Sequence, residues 1–155
     1  MSAAAIPARA PLAEEGKTYW EDLIGECMRQ IKAINDCASK HGLGADHLVR
    51  CVPDPGLHML KSQYPSTSVK VSINYCPWGP MIDGIVTGYE DEDREFCPEE
   101  FTVPIAMDLD GSVVVVYEEG RSFSPAEFAS FLTQNFRRCF PCLSLPCNEY
   151  ANSGA

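Results

Sequence analysis

Cys139, Cys142 and Cys147 stand close together after the last apolar stretch of the chain, and three sulfurs at such spacing could hold a metal ion or cycle as a redox pair. A zinc ion there would need a fourth ligand, for which Cys97 or Cys76 is available. A second set, Cys37-x3-His41-x5-His47-x3-Cys51, pairs a thiol with an imidazole at either end. Residues i and i+4 share a helix face, so a helix over 46–51 would let both pairs converge across Gly42 and Gly44 on one tetrahedral ion. Structural explanations compete with both sets. Cys37 lies close to an apolar helical stripe, His41 beside a glycine can bond terminal helix carbonyls, and the late thiols can tack a C-terminal extension onto the core as small apolar side chains.

Cys139-Phe140-Pro141-Cys142 resembles the thioredoxin-type motif Cys-x-Pro-Cys, which implies disulfide exchange by Cys139 and Cys142. In that family the motif opens a helix whose positive end acidifies the first thiol, whereas here it follows a helix. Pro104 to Val114, read as an apolar strand followed by Asp108-Leu109-Asp110-Gly111-Ser112, resembles the first motif of haloacid dehalogenase-type phosphotransferases. That resemblance implies Asp108 as phosphoryl acceptor, Asp110 as acid/base and magnesium alongside. The family also uses a Lys, and no Lys follows Ser112. A tight hairpin at Asp110-Gly111 accounts for the same residues. Asp91-x-Asp93-x-Glu95 has the alternate spacing of a calcium loop without its Gly and terminal Glu, and reads as a solvated loop. With no His after His58, a Ser–His or Cys–His nucleophile would have to draw on His41, His47 or His58.

The elements that would position these groups follow from periodicity. Thr18 to Glu21 fits a capping box, and Trp20, Leu23, Ile24, Cys27, Met28, Ile31 and Ile34 then recur at helical spacing as far as Gly42 and Gly44. Residues 46–51 read as a short helix or an extended segment. The period becomes two at Val69, Val71, Ile73 and Tyr75. A turn at Pro77 to Pro80 leads into a strand from Met81 to Tyr89, and Glu90 to Asp93 with Glu95 form an acidic loop. Strands Phe101 to Met107 and Ser112 to Tyr117 follow, then a helix opened by Ser124-Pro125-Ala126-Glu127 with Phe128, Phe131, Leu132 and Phe136 on its apolar face. These readings give a single α+β domain over residues 17–148, with flexible tails at 1–16 and 149–155. The expected fold is an antiparallel four-stranded sheet with both helices on one face, in the order α-ββββ-α. Trp20, Leu23, Ile31, Val71, Ile73, Val115, Phe128, Leu132 and Phe136 are its expected core.

A chain of 155 residues that is 45% hydrophobic can bury one sizeable core. Its net charge of -10, with no basic run longer than Arg137-Arg138, argues against nucleic acid and anionic membrane and is compatible with a basic protein partner. No window approaches the roughly 18 apolar residues of a membrane span, so a cytoplasmic protein with reduced thiols is expected. The reading that follows is a small acidic non-catalytic protein-binding domain of adaptor, chaperone or inhibitor type, without a cofactor. The alternative is a zinc-binding or thiol-redox protein built on one of the two cysteine sets. Val113 to Val116, apolar on both strand faces, and Pro104, suited to an edge or bulge, lead to the further expectation of a homodimer or tight heteromer.

Overall fold

The computed structural model describes residues 10–44, 48–53, 56–63, 67–91, 94–117 and 120–137. Helix α1 (Ala10–Lys40) is followed by strands β1 (Arg50–Val52), β2 (Leu57–Gln63), β3 (Thr67–Cys76), β4 (Met81–Asp91), β5 (Arg94–Met107), β6 (Val113–Val116) and β7 (Ser122–Phe123), then helix α2 (Pro125–Arg137). The strands form one sheet in sequential order, and every neighbouring pair is antiparallel. The α+β class is as the sequence implies, but among the described residues the sheet has seven strands instead of four.

Tyr19, Leu23, Cys27, Ile31, Ile34 and Ala38 recur along one side of α1 and are buried. The expected core residue Trp20 is only partly buried; its neighbour Tyr19 takes the interior position, and Trp20 stacks on Tyr75 with ring centroids 5.9 Å apart. Thr18 does not cap the helix, because α1 already starts at Ala10. Its far end closes as the glycines imply. Gly42 takes φ of 86°, its N–H donates to the Ser39 carbonyl, and the Leu43 N–H donates to the Ala38 carbonyl, which is a Schellman closure.

The segment before Cys51 ends in a strand and not a helix, for a local reason. The Asn35 side-chain amide donates to the Val49 carbonyl at 2.9 Å and accepts the Val49 N–H at 2.8 Å, which holds the chain extended as it enters the ladder with β2. The acidic stretch expected as a loop is also largely paired: β4 runs to Asp91 and β5 begins at Arg94, with Tyr89 opposite Glu95. At the other hairpin, Gly111 takes φ of 88° while the Asp108 N–H donates to the Ser112 carbonyl at 2.7 Å.

Along β5 the partner changes from β4, up to Pro104, to β6, from Ile105. The Ile105 N–H donates to the Pro80 carbonyl on the β4 side, so by alternation Pro104 turns its missing N–H away from β4. Val114 and Val115 are buried within the single chain, and Val113 and Val116 are half-buried.

Inward-facing Leu57, Met59, Val71, Ile73, Ile82, Val86, Val103 and Ile105 share one core cluster with α1 and with Phe128, Leu132 and Phe136 of α2. Helix α2 begins with a reciprocal capping box: the Glu127 N–H donates to Ser124 Oγ at 3.2 Å, and the Ser124 N–H donates to Glu127 Oε1 at 2.9 Å. The two helices are joined by the buried Gln30. Its Oε1 accepts from Thr133 Oγ1 at 2.8 Å, Arg137 Nη2 at 3.0 Å and Ser130 Oγ at 3.3 Å.

Candidate functional site

Side chains of adjacent antiparallel strands at paired positions stand on the same face. The register therefore lays out the face opposite the core as rows. One row crosses the sheet as His58, Ser72, Ile85 and Glu100, and the next as Asn74, Asp83 and Thr102. Together they line a shallow depression of about 420 Å3 floored by the backbone around Ile73, Gly84 and Phe101. The polar groups are partly paired with one another: His58 Nδ1 lies 2.9 Å from Ser72 Oγ, and Thr102 Oγ1 donates to Asp83 Oδ1 at 2.9 Å. Ile85, half-buried, stands between Ser72 and Glu100.

Ser72 and His58 are at the distance of a nucleophile and its base. Acyl transfer also needs a group orienting the imidazole and amide donors free to receive an oxyanion. Here β3 is laddered on both sides along this row, so its amides are committed to β2 and β4. Asp83 points its accepting oxygen at Thr102. The arrangement presents hydrogen-bonding groups and an apolar contact on a fixed platform.

Of the Cys37, His41, His47 and Cys51 set, Cys37 lies on α1, His41 just beyond its end, and His47 outside the described residues. His41 Nδ1 contacts the Cys37 carbonyl at 2.9 Å, the terminal-carbonyl role, and Cys51 lies on β1. Burial pushes the Cys51 thiol up to about 11, and burial, followed by the neighbouring Cys51, raises that of Cys27 still further. Those two thiols are therefore protonated near neutral pH and poor nucleophiles. His47, Cys139, Cys142 and Cys147 lie outside the described residues. Among the described residues no three His, Cys, Asp or Glu side chains are grouped to hold a metal ion.

Asp108 and Asp110 serve the β5–β6 turn. The Leu109 N–H donates to Asp108 Oδ1 and the Ser112 N–H to Asp110 Oδ1, and the latter bond holds the Asp110 carboxyl below its usual range. The phosphotransferase resemblance is thereby accounted for by turn geometry.

Sequence reasoning missed the outer rows because β2 was not recognised, and without it His58 had no neighbours. The alternation that sent Val71 and Ile73 inward already placed Ser72 and Asn74 outward. Among the described helices none is long and apolar enough to cross a membrane. Compared with family models, curated proteins and solved structures, the chain matches none.

Proposed function

We propose that this chain is a small acidic, non-catalytic protein-binding domain of adaptor, chaperone or inhibitor type, which engages a protein partner through the outer face of its sheet. The observation that carries the reading is the cross-strand row His58, Ser72, Ile85 and Glu100, a set of polar contacts around one apolar residue on the face away from the core. A rigid sheet loses little entropy on docking, and the net charge of -10 favours a partner of opposite charge.

Two measurements test the two halves of the proposal. A fluorophosphonate probe should leave Ser72 unlabelled in the native chain, whereas stoichiometric labelling that disappears in His58→Ala would make the surface catalytic. In the source cells, a complex of defined stoichiometry should persist in Lys32→Glu, on exposed α1, and be lost in Ile85→Glu with the thermal midpoint unchanged. Equal recovery of that complex from both variants would remove the outer face from the proposal.

A further inference from the structure

Trp78 is 93% exposed and Leu109 is 77% exposed, whereas most other large apolar side chains among the described residues are buried or half-buried. Trp78 occupies the β3–β4 turn and Leu109 the β5–β6 turn. In a sequential antiparallel sheet these turns lie at the same end, two strands apart. Neither belongs to the outer-face depression.

The turn that carries Trp78 is clamped. Pro77 and Pro80 bracket it, and the Pro80 carbonyl accepts the Ile105 N–H at 2.8 Å. Gly16 of α1 sits so close that a Cβ there would lie 3.0 Å from Pro80 Cβ and 3.1 Å from Tyr75 Oη. Tyr75 is in turn stacked by Trp20. The indole is thus offered to solvent from a braced turn, so a partner would not have to immobilise the backbone beneath it. Trp residues held in this way are the usual anchors of protein interfaces.

The surroundings are anionic. Glu14, Glu15 and Asp22 line a groove of about 570 Å3 between α1 and the Ser112–Val113 and Ser124–Pro125 segments, with no Lys or Arg in its lining. Glu15 Oε2 is buried there without a hydrogen-bond donor. Asp108 and Asp110 flank Leu109 on the neighbouring turn. A second copy of the chain would bring the same carboxylates against these, because a two-fold interface joins a patch to itself. A segment bearing Lys or Arg beside apolar residues would instead satisfy the groove and place a cation over the indole face.

We propose that this end of the sheet is a docking surface for a basic protein segment with interspersed apolar residues, with Trp78 as anchor and the Glu14, Glu15 and Asp22 groove as the cation-receiving wall. The inference rests on the protein-binding reading above but uses a different surface, so either can fail alone.

The test uses the full chain and a fluorescein-labelled synthetic peptide of repeating Arg-Leu-Gly units, with a Glu-Leu-Gly peptide as control, read by anisotropy. Saturable binding to the Arg peptide is expected, with no binding of the control. Trp78→Ala, and separately Glu15→Gln with Asp22→Asn, should weaken binding about tenfold or more while Ile85→Glu leaves it unchanged. In a Trp20→Phe background, Trp78 emission should shift to the blue on addition of peptide. Absence of saturable binding, or Trp78→Ala binding as tightly as the parent chain, overturns the inference. Loss in Ile85→Glu with retention in Trp78→Ala would move the basic segment to the outer face, overturning this inference and leaving the protein-binding reading intact.

Discussion

Gly84 shows how one residue type controls the packing around it. A Cβ at that position would clash with Cζ of Phe101, the residue paired with it on β5. The Phe101 ring cannot easily swing aside, because Tyr117 and Phe128 contact it edge-on at centroid distances of 5.9 Å. Gly84→Ala should therefore cost about 1–3 kcal/mol in urea unfolding, as overpacking does, and a change below ~0.5 kcal/mol would mean that the ring relocates freely. The buried thiols give a second residue-scale expectation. Since burial raises Cys27 and Cys51, the folded chain holds protons that the unfolded chain releases first as pH rises. The stability these thiols share in is intact below the ordinary thiol value of 9.0 and falls as pH climbs through about 11 at Cys51. Iodoacetamide at pH 8 followed by peptide mass mapping should find both unmodified in the folded chain and modified after denaturation. Rapid labelling of Cys51 in the folded state would contradict its placement.

At the scale of elements, the joint between α1 and α2 depends on a polar hub inside an apolar contact. Gln30→Ala removes the acceptor shared by Thr133, Ser130 and Arg137, and Thr133 is fully buried, so a loss of about 1–3 kcal/mol is expected at an unchanged denaturant slope. A neutral effect would show that the hub is replaced by water. Elements with strong local patterns were legible in the sequence: the alternation of Val69 to Tyr75, the Ser124 and Glu127 cap, the Gly111 turn and the α2 apolar face. The missed elements lack such patterns. In β2 the fully buried Lys61 occupies an inward position where alternation calls for an apolar residue. Strands β1 and β7 are too short to show a period. Tyr19 and Trp20 are adjacent aromatics about 100° apart around a helix, and the sequence does not tell which faces the core. The early start of α1 is equally hidden, because Ala10 to Lys17 carries no apolar stripe for a pattern to reveal.

For the whole molecule, the candidate surface was less legible than the fold. The His58, Ser72, Ile85 and Glu100 row draws on β2 to β5, and its members become neighbours only once the register is set. Whether this row meets a protein is decided by placing a photo-crosslinking amino acid at Ile85 and, as a control, at the exposed Lys32 of α1, in the cells that make the chain. We expect a discrete adduct of one protein from position 85 and none from position 32. An adduct of twice the chain mass would identify a second copy as that protein. Absence of any adduct from position 85, with equal expression and an unchanged thermal midpoint, would contradict the claim.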